Sequence, residues 1–481
     1  MHTSFTALLT LTLFAHLTTS FPSTAEKDIG TAAEQLQLNS EPRSLLPPSP
    51  DVKVSTWVAI SRGVDGGGEM RRRNGKRSGG RGDGGVGMSK VGREMMRRHF
   101  GVEWIHSVQL GQAWHTPLQI NGKTYKLMID TGSSDTWIVS KDFNCIGEGG
   151  ITLSQADCDF GPKYSPGREF EPVRDVNFNI VYGDGSYLRG SYGVLGVELA
   201  GIWVKTQIAL AKDVGWVAEG ITSGLLGLSY PSITFAFSGT NYSADTPEKQ
   251  VPYDPIFTSM WKQHKISHVF SLAIGRPSVP PSSAPEGYLA LGGLAPVSTT
   301  GPWARADIEI SPLGPGYTNR SLPYPQIQWY TITPDAFLYT TTPAGQPPVW
   351  KPLNTGPPGT PKFQTLIDSG VTHTWLPTPI ADHVASLFVP PAVWNQTVYG
   401  YSVPCTAQVP QLAVKINGVI LPWHKKDIIM DDFTGEGGCV SGVNNGRGYA
   451  PYTLGDTWMR SNLVVFDVGR GEVRVRSRGE Y

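Results

Sequence analysis

The sequence predicts an all-β-dominated chain that folds into two related lobes with a deep cleft between them. Three observations point to this fold class. The 481 residues exceed what one small core accommodates, so two or more domains are expected. The 56 Gly and 39 Pro, with only 17% charged residues, are typical of a turn-rich β protein. An acidic turn motif also occurs twice, far apart in the chain.

The first 20 residues, MHTSFTALLTLTLFAHLTTS, are predicted to be a secretory signal peptide. Their apolar stretch from Phe5 to Leu17 is too short to span a bilayer, and the small residues Thr18 and Ser20 suit a cleavage site. No later segment of the sequence is long and apolar enough to cross a membrane. We therefore expect a secreted, extracellular protein without a membrane partner, or alternatively delivery to a vacuole-like compartment.

Residues 21–98 form a basic leader with little to bury, which predicts disorder. They hold 14 Lys or Arg against 9 Asp or Glu, and the 40 of each in the chain leave 26 and 31 for residues 99–481. An acidic body argues against nucleic-acid binding. Basic runs in the leader favour a propeptide cut by a kexin-like protease over a plain linker, with a mature start near His99 or Ser78. These runs are Arg71–Arg73, Lys76–Arg77 and Arg97–Arg98.

From Gly101 onward, short β-type runs alternate with Gly and Pro turns. We expect an N-terminal lobe over residues 99–300 and a C-terminal lobe over residues 301–481. The predicted strands are YKLMI, NFNIVY, YGVLGVELAGIWV, VFSLAIG, EGYLALGG, NLVVFDV and GEVRVR. Only PIFTSMWKQHK and PIADHVASLF have a helical pattern. The Pro-rich stretches Arg276–Pro285 and Thr340–Pro361 are predicted surface loops.

The duplicated motif is the most informative feature. Asp130 in LMIDTGSSDTWIV and Asp368 in TLIDSGVTHTWLP lie 238 residues apart, and each follows an apolar run. An apolar-apolar-Gly turn comes 97 residues after the first acid, at Gly227, and 87 residues after the second, at Gly455. The acid turn and the later glycine turn occur in the same order in both halves. This repetition predicts two related lobes, each offering one carboxylate from a tight turn.

Two facing carboxylates have a specific chemistry. When they lie a few ångströms apart they share a proton and titrate as a unit. The ionised member can deprotonate a water, while the protonated member polarises a carbonyl and later donates to a leaving amine. Catalysis by Asp130 and Asp368 would then require neither a metal nor an organic cofactor.

The neighbours of the two acids suit this arrangement. Gly132 and Gly370 are expected to let the backbone turn sharply beside the carboxylates. Thr131 and Ser369 can hydrogen-bond across the lobe interface. Ser133 is placed to donate to Asp130, which favours the charged carboxylate.

The four cysteines fit an oxidising compartment, and they allow three pairings. Closeness in sequence favours Cys145–Cys158 and Cys405–Cys439. A metal site is the rival interpretation, but the sequence has no CxxC and no nearby His cluster. Three glycosylation sequons, Asn241, Asn319 and Asn395, are candidate modification sites in a secreted protein.

These motifs together resemble the pepsin-like aspartic proteases, and the flap sequence is most similar to secreted fungal members. The resemblance covers about residues 104–478, and the spacing of both cysteine pairs also resembles the disulfides of the family. The motifs that carry the resemblance are DTGSSDTW from Asp130, VYGDGSY from Val181, GLLGLSYPS from Gly224, DSGVTHTWLP from Asp368 and LGDTWMRSNLVVFD from Leu454.

The resemblance implies a bilobal acid protease fold, an extended peptide substrate in the cleft and Asp130 and Asp368 as the catalytic dyad. It also implies a monomer, inhibition by pepstatin-like compounds and a zymogen inhibited by its own propeptide. The leader's positive charge could cover the acidic cleft until acidification releases it.

The resemblance further places Tyr182, Gly183 and Asp184 on a β-hairpin flap that closes over the substrate. Tyr182 is expected to hydrogen-bond Trp137, although aromatic core packing explains both residues as well. For Asp184 two interpretations stay open, a solvated hairpin acid or a carboxylate that accepts a substrate Lys next to the scissile bond.

The sequence departs from the family pattern at Val371, where many members have Thr or Ser. Val cannot donate a hydrogen bond, so Asp368 loses a stabiliser of its charged form and the apparent pKa values of the dyad should rise. We expect Val371→Thr to move the acid limb of the rate profile to lower pH.

Two other classes of function remain open at this point. The chain could be a protease-like binding or inhibitor protein with little turnover, but such proteins are expected to lose dyad or flap residues, which are all present. The acids could also form a glycosidase pair, which needs a separation of at least about 5 Å and no duplicated turn. The sequence favours the endopeptidase.

Overall fold

The computed structural model describes residues 100–278, 284–311, 327–343, 345–353, 362–431, 438–446 and 451–479. The predicted signal peptide and leader lie outside these residues, as does the sequon at Asn319. The described chain is mostly β-structure, as its Gly and Pro content predicts.

A sheet of long strands forms the first lobe and carries the first acidic motif at its centre. Its spatial order is β10-β6-β7-β8-β4-β9-β3-β2, with β5 on β4 and an added pairing of β7 with β2. The strands are β2 Ala113–Ile120, β3 Lys123–Asp130, β4 Trp137–Ile146, β5 Thr152–Leu153, β6 Glu171–Val181, β7 Tyr187–Leu199, β8 Ile202–Gly215, β9 Gly224–Gly227 and β10 Ala236–Ser238.

Six strands continue this sheet and join the two lobes. Their order is β1-β12-β11-β27-β28-β13, and β1 links them to β2. They are β1 Gly101–Val108, β11 Val269–Ile274, β12 Gly287–Leu291, β13 Ala304–Asp307, β27 Asn462–Asp467 and β28 Glu472–Ser477. Strands from both ends of the described chain therefore lie in one interlobe sheet.

The second lobe is built from shorter strands in three sheets. The sheet that carries the second acidic motif contains β14 Thr331–Ile332, β17 Thr365–Ile367, β18 Thr374–Leu376, β25 Val443–Asn445 and β26 Tyr452–Leu454. The next contains β15 Ala336–Thr340, β16 Lys351–Pro352, β21 Gln411–Ile416 and β22 Val419–Pro422. The last contains β19 Val393–Asn395, β20 Gly400–Val403, β23 Ile429–Asp431 and β24 Cys439–Ser441.

The described helices are few and short. They are α1 Ile256–Lys262, α2 Thr378–Ser386 and α3 Asp456–Met459. The two helical patterns in the sequence are confirmed by α1 and α2, which bury their apolar faces. No helix of the described residues is long and apolar enough to cross a membrane.

The sequence reasoning was wrong about one strand. The run YGVLGVELAGIWV is not a single strand, because β7 and β8 form a hairpin across Ala200 and Gly201. Both turn residues have positive φ, 54° and 73°. Two such residues build the kind of tight turn whose twist matches the flanking strands. Apolar content alone did not show where the strand reverses.

Both disulfides join the pairs that the sequence spacing favours. Cys145 bonds Cys158 and Cys405 bonds Cys439, with Cα–Cα distances of 5.8 and 5.0 Å. Among the described residues, one group has a metal-ligand composition, Cys405, Asp431 and Cys439. Its two sulfurs are already bonded to each other, so this group does not provide thiolate ligands.

Candidate active site

The two acidic motifs are held by equivalent strand pairings. Strand β3 ends at Asp130 and runs parallel to β9, which ends at Gly227. Strand β17 runs parallel to β26, and Asp368 follows it directly, with its N–H donating to the carbonyl of Leu454. Each carboxylate therefore leaves the end of a central buried strand, as the repeated motif predicts.

Hydroxyl groups lock the two loops together across the lobe interface. Thr131 Oγ1 donates to the Ile367 carbonyl at 3.0 Å and accepts from Ser369 N at 2.9 Å. Ser369 Oγ donates to the Ile129 carbonyl at 3.0 Å and accepts from Thr131 N at 3.2 Å. This reciprocal set is buried, so its four bonds fix the relative position of the lobes at the acids.

The glycines beside the acids are needed for a reason other than the one sequence reasoning gave. Neither Gly132 nor Gly370 has positive φ. A Cβ atom on Gly370 would lie 2.5 Å from Asp130 Oδ1, and one on Gly132 would lie closer still to Asp368 Oδ2. Each glycine therefore makes room for the carboxylate of the opposite lobe, and the turn itself does not require glycine.

The hydrogen bonds to the two acids are unequal. Asp130 Oδ1 accepts from Gly132 N at 2.7 Å, and its Oδ2 accepts from the Ser133 hydroxyl. Asp368 Oδ1 accepts from Gly370 N at 2.8 Å. Val371 has no hydroxyl to donate where the first loop has Ser133. The hydroxyl of the next residue, Thr372, donates instead to the Gln112 carbonyl at 2.5 Å.

This inequality separates the protonation states of the two acids. Burial raises the pKa of both carboxyl groups, and in Asp368 the neighbouring charge of Asp130 raises the pKa further, well above its ordinary value. Donors from Ser133 and Gly132 oppose the rise of the pKa in Asp130. The arrangement therefore favours an ionised Asp130 and a protonated Asp368.

The hairpin of β6 and β7 carries the predicted flap residues. Tyr182 N donates to the Ser186 carbonyl at 2.8 Å, and Gly185 takes φ of 89° in the turn. Asp184 is exposed, and its carboxylate accepts from Ser186 N at 2.9 Å and Ser186 Oγ at 3.1 Å. Asp184 thus stabilises its own turn, and Gly183 beside it is exposed.

The flap tyrosine contacts two tryptophans at its base. Tyr182 Oη accepts from Trp137 Nε1 at 2.8 Å. The Trp216 ring packs against Tyr182 and Trp137 with centroid distances of 5.2 and 5.7 Å. Burial and the charge of Asp130 raise the pKa of Tyr182 well above its ordinary value. Sequence reasoning missed Trp216, because it lies after β8 in no recognisable motif.

Two buried acids near the motifs were also missed. Asp135 accepts from the hydroxyls of Tyr192 and Tyr253 at 2.7 and 2.8 Å and from Phe235 N at 2.8 Å. Burial raises the pKa of Asp135 to about 6. In the sequence, Asp135 stood out only as a charged residue inside the run DTGSSDTW. In the structure, its hydrogen bonds join three segments of the first lobe.

Asp456 is the second missed acid, and its N–H donates to the Val371 carbonyl in the Asp368 loop at 2.9 Å. Burial raises the pKa of Asp456 well above its ordinary value, the charge of Arg460 opposes this rise, and the charge of Asp368 adds to it. Arg460 is buried and donates to the Gly111 carbonyl at 2.7 Å. The pattern LGDTWMR contains both residues and carries part of the family resemblance, which gave neither of them a role.

The two described sequons are accessible to different degrees. Asn241 is exposed and its side chain accepts from Ser243 N at 3.1 Å. Asn395 is half-buried at the end of β19 and accepts from Thr397 N at 2.9 Å. In both, the amide oxygen folds back onto the sequon's own hydroxyl residue.

Comparisons of the sequence with known proteins agree on one family. A family model described as eukaryotic aspartyl protease matches residues 115–322 and 355–477. A "Probable aspartic-type endopeptidase" of Aspergillus fumigatus is 34% identical over 370 residues, covering 76% of this chain and 78% of the relative. Rhizopuspepsin of Rhizopus chinensis is 27% identical over 380 residues, covering 78% of each chain.

A solved structure supports the fold alone. The crystal structure of an aspartic proteinase from Irpex lacteus superposes with a TM-score of 0.58 and 14% identity. The match covers 79% of this chain and 98% of that one.

Proposed function

Since the chain belongs to the eukaryotic aspartyl protease family and is an aspartic endopeptidase by that membership, we propose that Asp130 and Asp368 are its catalytic dyad. One observation carries the proposal. Each acid sits against the glycine of the opposite loop, and the two loops are locked by reciprocal hydroxyl bonds. Such a site holds two carboxyl groups close enough to share one proton.

The unequal environments of the acids assign their roles in peptide hydrolysis. Asp130, held ionised by Ser133 and Gly132, takes a proton from a water as that water attacks the scissile carbonyl carbon. Asp368 donates its proton to the carbonyl oxygen, which forms a neutral tetrahedral diol. The diol collapses as the proton on Asp130 passes to the amide nitrogen, the C–N bond breaks, and Asp368 recovers a proton from the diol.

The flap hairpin provides the other wall of the proposed substrate site. An extended peptide would lie between the dyad and the turn that holds Gly183 and Asp184. The Trp137 bond and the Trp216 ring hold Tyr182 in place at the flap base. The bonds from Ser186 support a turn-stabilising role for Asp184, and its exposed carboxylate also leaves it able to meet a substrate Lys.

We further propose that the protein is a secreted monomer made as a zymogen. The signal peptide over residues 1–20 and the basic leader over residues 21–98 support export and self-inhibition. The lobes would span residues 99–300 and 301–481, with a vacuole-like compartment as the alternative destination. The exposed side chain of Asn241 and the half-buried Asn395 are the described candidates for glycosylation.

The test is peptide hydrolysis by the processed protein from about pH 2.5 to about pH 7, with and without pepstatin, beside an Asp130→Asn control. We expect acid-favoured activity that pepstatin blocks and that the control lacks. A folded, processed protein without hydrolysis would overturn the proposal and favour a binding protein on the same scaffold.

A further inference from the structure

A tryptophan of the second lobe contacts the catalytic loop of the first. Trp329 Nε1 donates to the Gly132 carbonyl at 2.8 Å, across 197 residues of sequence. The side chain is 8% exposed and packs against Ile233 of the first lobe and Leu366 of the second. Trp329 lies two residues before β14, which is a strand of the sheet that carries Asp368.

The Gly132 carbonyl, which accepts the hydrogen bond from Trp329, and the Ser133 N–H belong to one peptide unit. The described non-proline peptide bonds are trans, so the Gly132 carbonyl and the Ser133 N–H point in opposite directions. The Gly132 N–H donates to Asp130 Oδ1 at 2.7 Å and the Ser133 hydroxyl donates to Asp130 Oδ2. The Ser133 N–H adds a smaller lowering of the Asp130 pKa. The indole therefore holds the peptide that joins the two residues whose groups donate to the carboxylate.

The backbone around Trp329 is seated on the first lobe. Ser229 Oγ donates to the Gln328 carbonyl at 2.8 Å, and Ser232 Oγ donates to the Ile327 carbonyl at 2.6 Å. Tyr330 Oη donates to the Leu228 carbonyl at 2.7 Å. These bonds leave the indole little freedom, so its N–H can act as a fixed donor.

We propose that Trp329 is a positioning residue for the dyad. It holds the Gly132–Ser133 peptide so that the Gly132 N–H and the Ser133 hydroxyl are aimed at Asp130 only when the lobes are aligned. The inference rests on the proposed function of Asp130. Donation to the carbonyl also polarises the peptide and strengthens the opposite N–H as a donor. A residue of the second lobe thereby favours the charged form of the acid in the first.

The test compares three variants that separate the N–H from the ring. Trp329→Phe removes the donor and part of the ring. Replacement of Trp329 by 3-benzothienylalanine removes the donor but keeps the ring shape, because sulfur takes the place of N–H. Ile233→Ala is the packing control, since it loosens the ring contact and leaves the hydrogen bond.

We expect both Trp329 variants to lower kcat about tenfold with KM within about twofold. The acid limb of kcat/KM should move to higher pH, because Asp130 loses a stabiliser of its charged form. Ile233→Ala should lower the melting temperature and leave that limb in place.

Two outcomes would overturn the inference. The first is a benzothienylalanine variant with the wild-type pH profile and kcat. The second is an Ile233→Ala profile that shifts as much as that of Trp329→Phe, which would reduce Trp329 to packing. An Asp130→Asn control that still hydrolyses peptide would instead overturn the proposed dyad, so the two failures are distinguishable.

Discussion

The Asp130 and Asp368 loops follow one backbone plan but supply different donors to their acids. Both acids end a buried parallel strand, both accept from the N–H two residues later, and both face a glycine of the opposite loop. Only the first loop adds a side-chain hydroxyl, from Ser133. A duplicated element thus provides the symmetric geometry, and one side chain makes the environments of the two acids unequal.

The comparison extends to the sixth residue of each motif. Asp135 follows Asp130 by the same spacing as His373 follows Asp368. Burial raises the pKa of Asp135 to about 6, whereas burial and the charge of Arg460 lower the pKa of His373 to about 4. Equivalent positions therefore carry groups whose protonation has opposite effects on stability.

The largest expected effect comes from breaking either half of the proposed dyad. Asp130→Asn and Asp368→Asn should each lower kcat by at least about 10³-fold, because each removes one partner in proton transfer. Single-turnover hydrolysis with active-site titration would measure the loss, and thermal unfolding would check that both variants fold. If one variant kept near wild-type activity, the division of roles between the acids would be wrong.

Gly132→Ala should have the next largest effect. Its Cβ would collide with Asp368 Oδ2, so the lobes must move apart and kcat/KM should fall about 100-fold. Gly479→Ala is the control, since its Cβ would meet only ordinary contacts at 3.4 Å and beyond. Steady-state kinetics of both variants measures this difference, and equal activities would show that Asp368 does not lie as close to Gly132 as described.

Ser133→Ala makes the first loop resemble the second. Removal of the hydroxyl raises the pKa of Asp130, so the acid limb of kcat/KM should move up by about one pH unit. The pH profile of kcat/KM measures the shift. A limb that stays in place would show that the Ser133 bond does not control the ionisation of Asp130.

Val371→Thr makes the second loop resemble the first, because it adds a hydroxyl beside Asp368. A hydroxyl beside Asp368 lowers the pKa of the pair, so the acid limb should move to lower pH, by up to about one unit. The alkaline limb should move down further, because it reports the loss of the proton from Asp368. Equal profiles for wild type and variant would exclude Val371 as the cause of the inequality.

Asp135→Asn should have the smallest effect on catalysis, within about threefold in kcat/KM, and a pH-dependent effect on stability. The folded-state pKa of Asp135 is raised from 3.8 to about 6, so the wild type loses stability as pH rises through this window. The variant does not lose stability in this way. Relative to the wild type at the same pH, its free energy of unfolding should therefore be lowered more at pH 4 than at pH 7.

Urea unfolding at the two pH values measures this change. His373→Gln should show the reverse trend, because the folded-state pKa of His373 is lowered from 6.5 to about 4. Parallel trends in the two variants would contradict the opposite signs assigned to these positions.

Local patterns in the sequence were sufficient for part of the site. The strand-acid-turn repeat predicts both acid loops with Thr131 and Ser369, and the family resemblance places Trp137 and Tyr182. Thr131 and Ser369 bond to the copy of their own motif, whereas Trp137 and Tyr182 join two different motifs. The repeat did not reveal that Gly132 and Gly370 serve the opposite carboxylates, since this is a property of the assembled lobes.

Residues that act across long separations left no such pattern. Trp329 donates a hydrogen bond to Gly132, 197 positions earlier in the sequence, and Arg460 donates one to Gly111, 349 positions earlier. Their partners are backbone carbonyls, which any sequence provides, so composition at the partner position gives no signal. The β7–β8 turn was missed for a related reason, because Ala200 is an uncommon residue at positive φ.

The interlobe sheet has a consequence for the order of events during synthesis. Strands β27 and β28, residues 462–477, lie between β11 and β13, residues 269–307. A ribosome that has made the first lobe has not yet supplied the strands that complete the sheet beside it. The sheet can therefore close only after β28 has been made, and the unpaired edge of β11 must be kept from other chains until then.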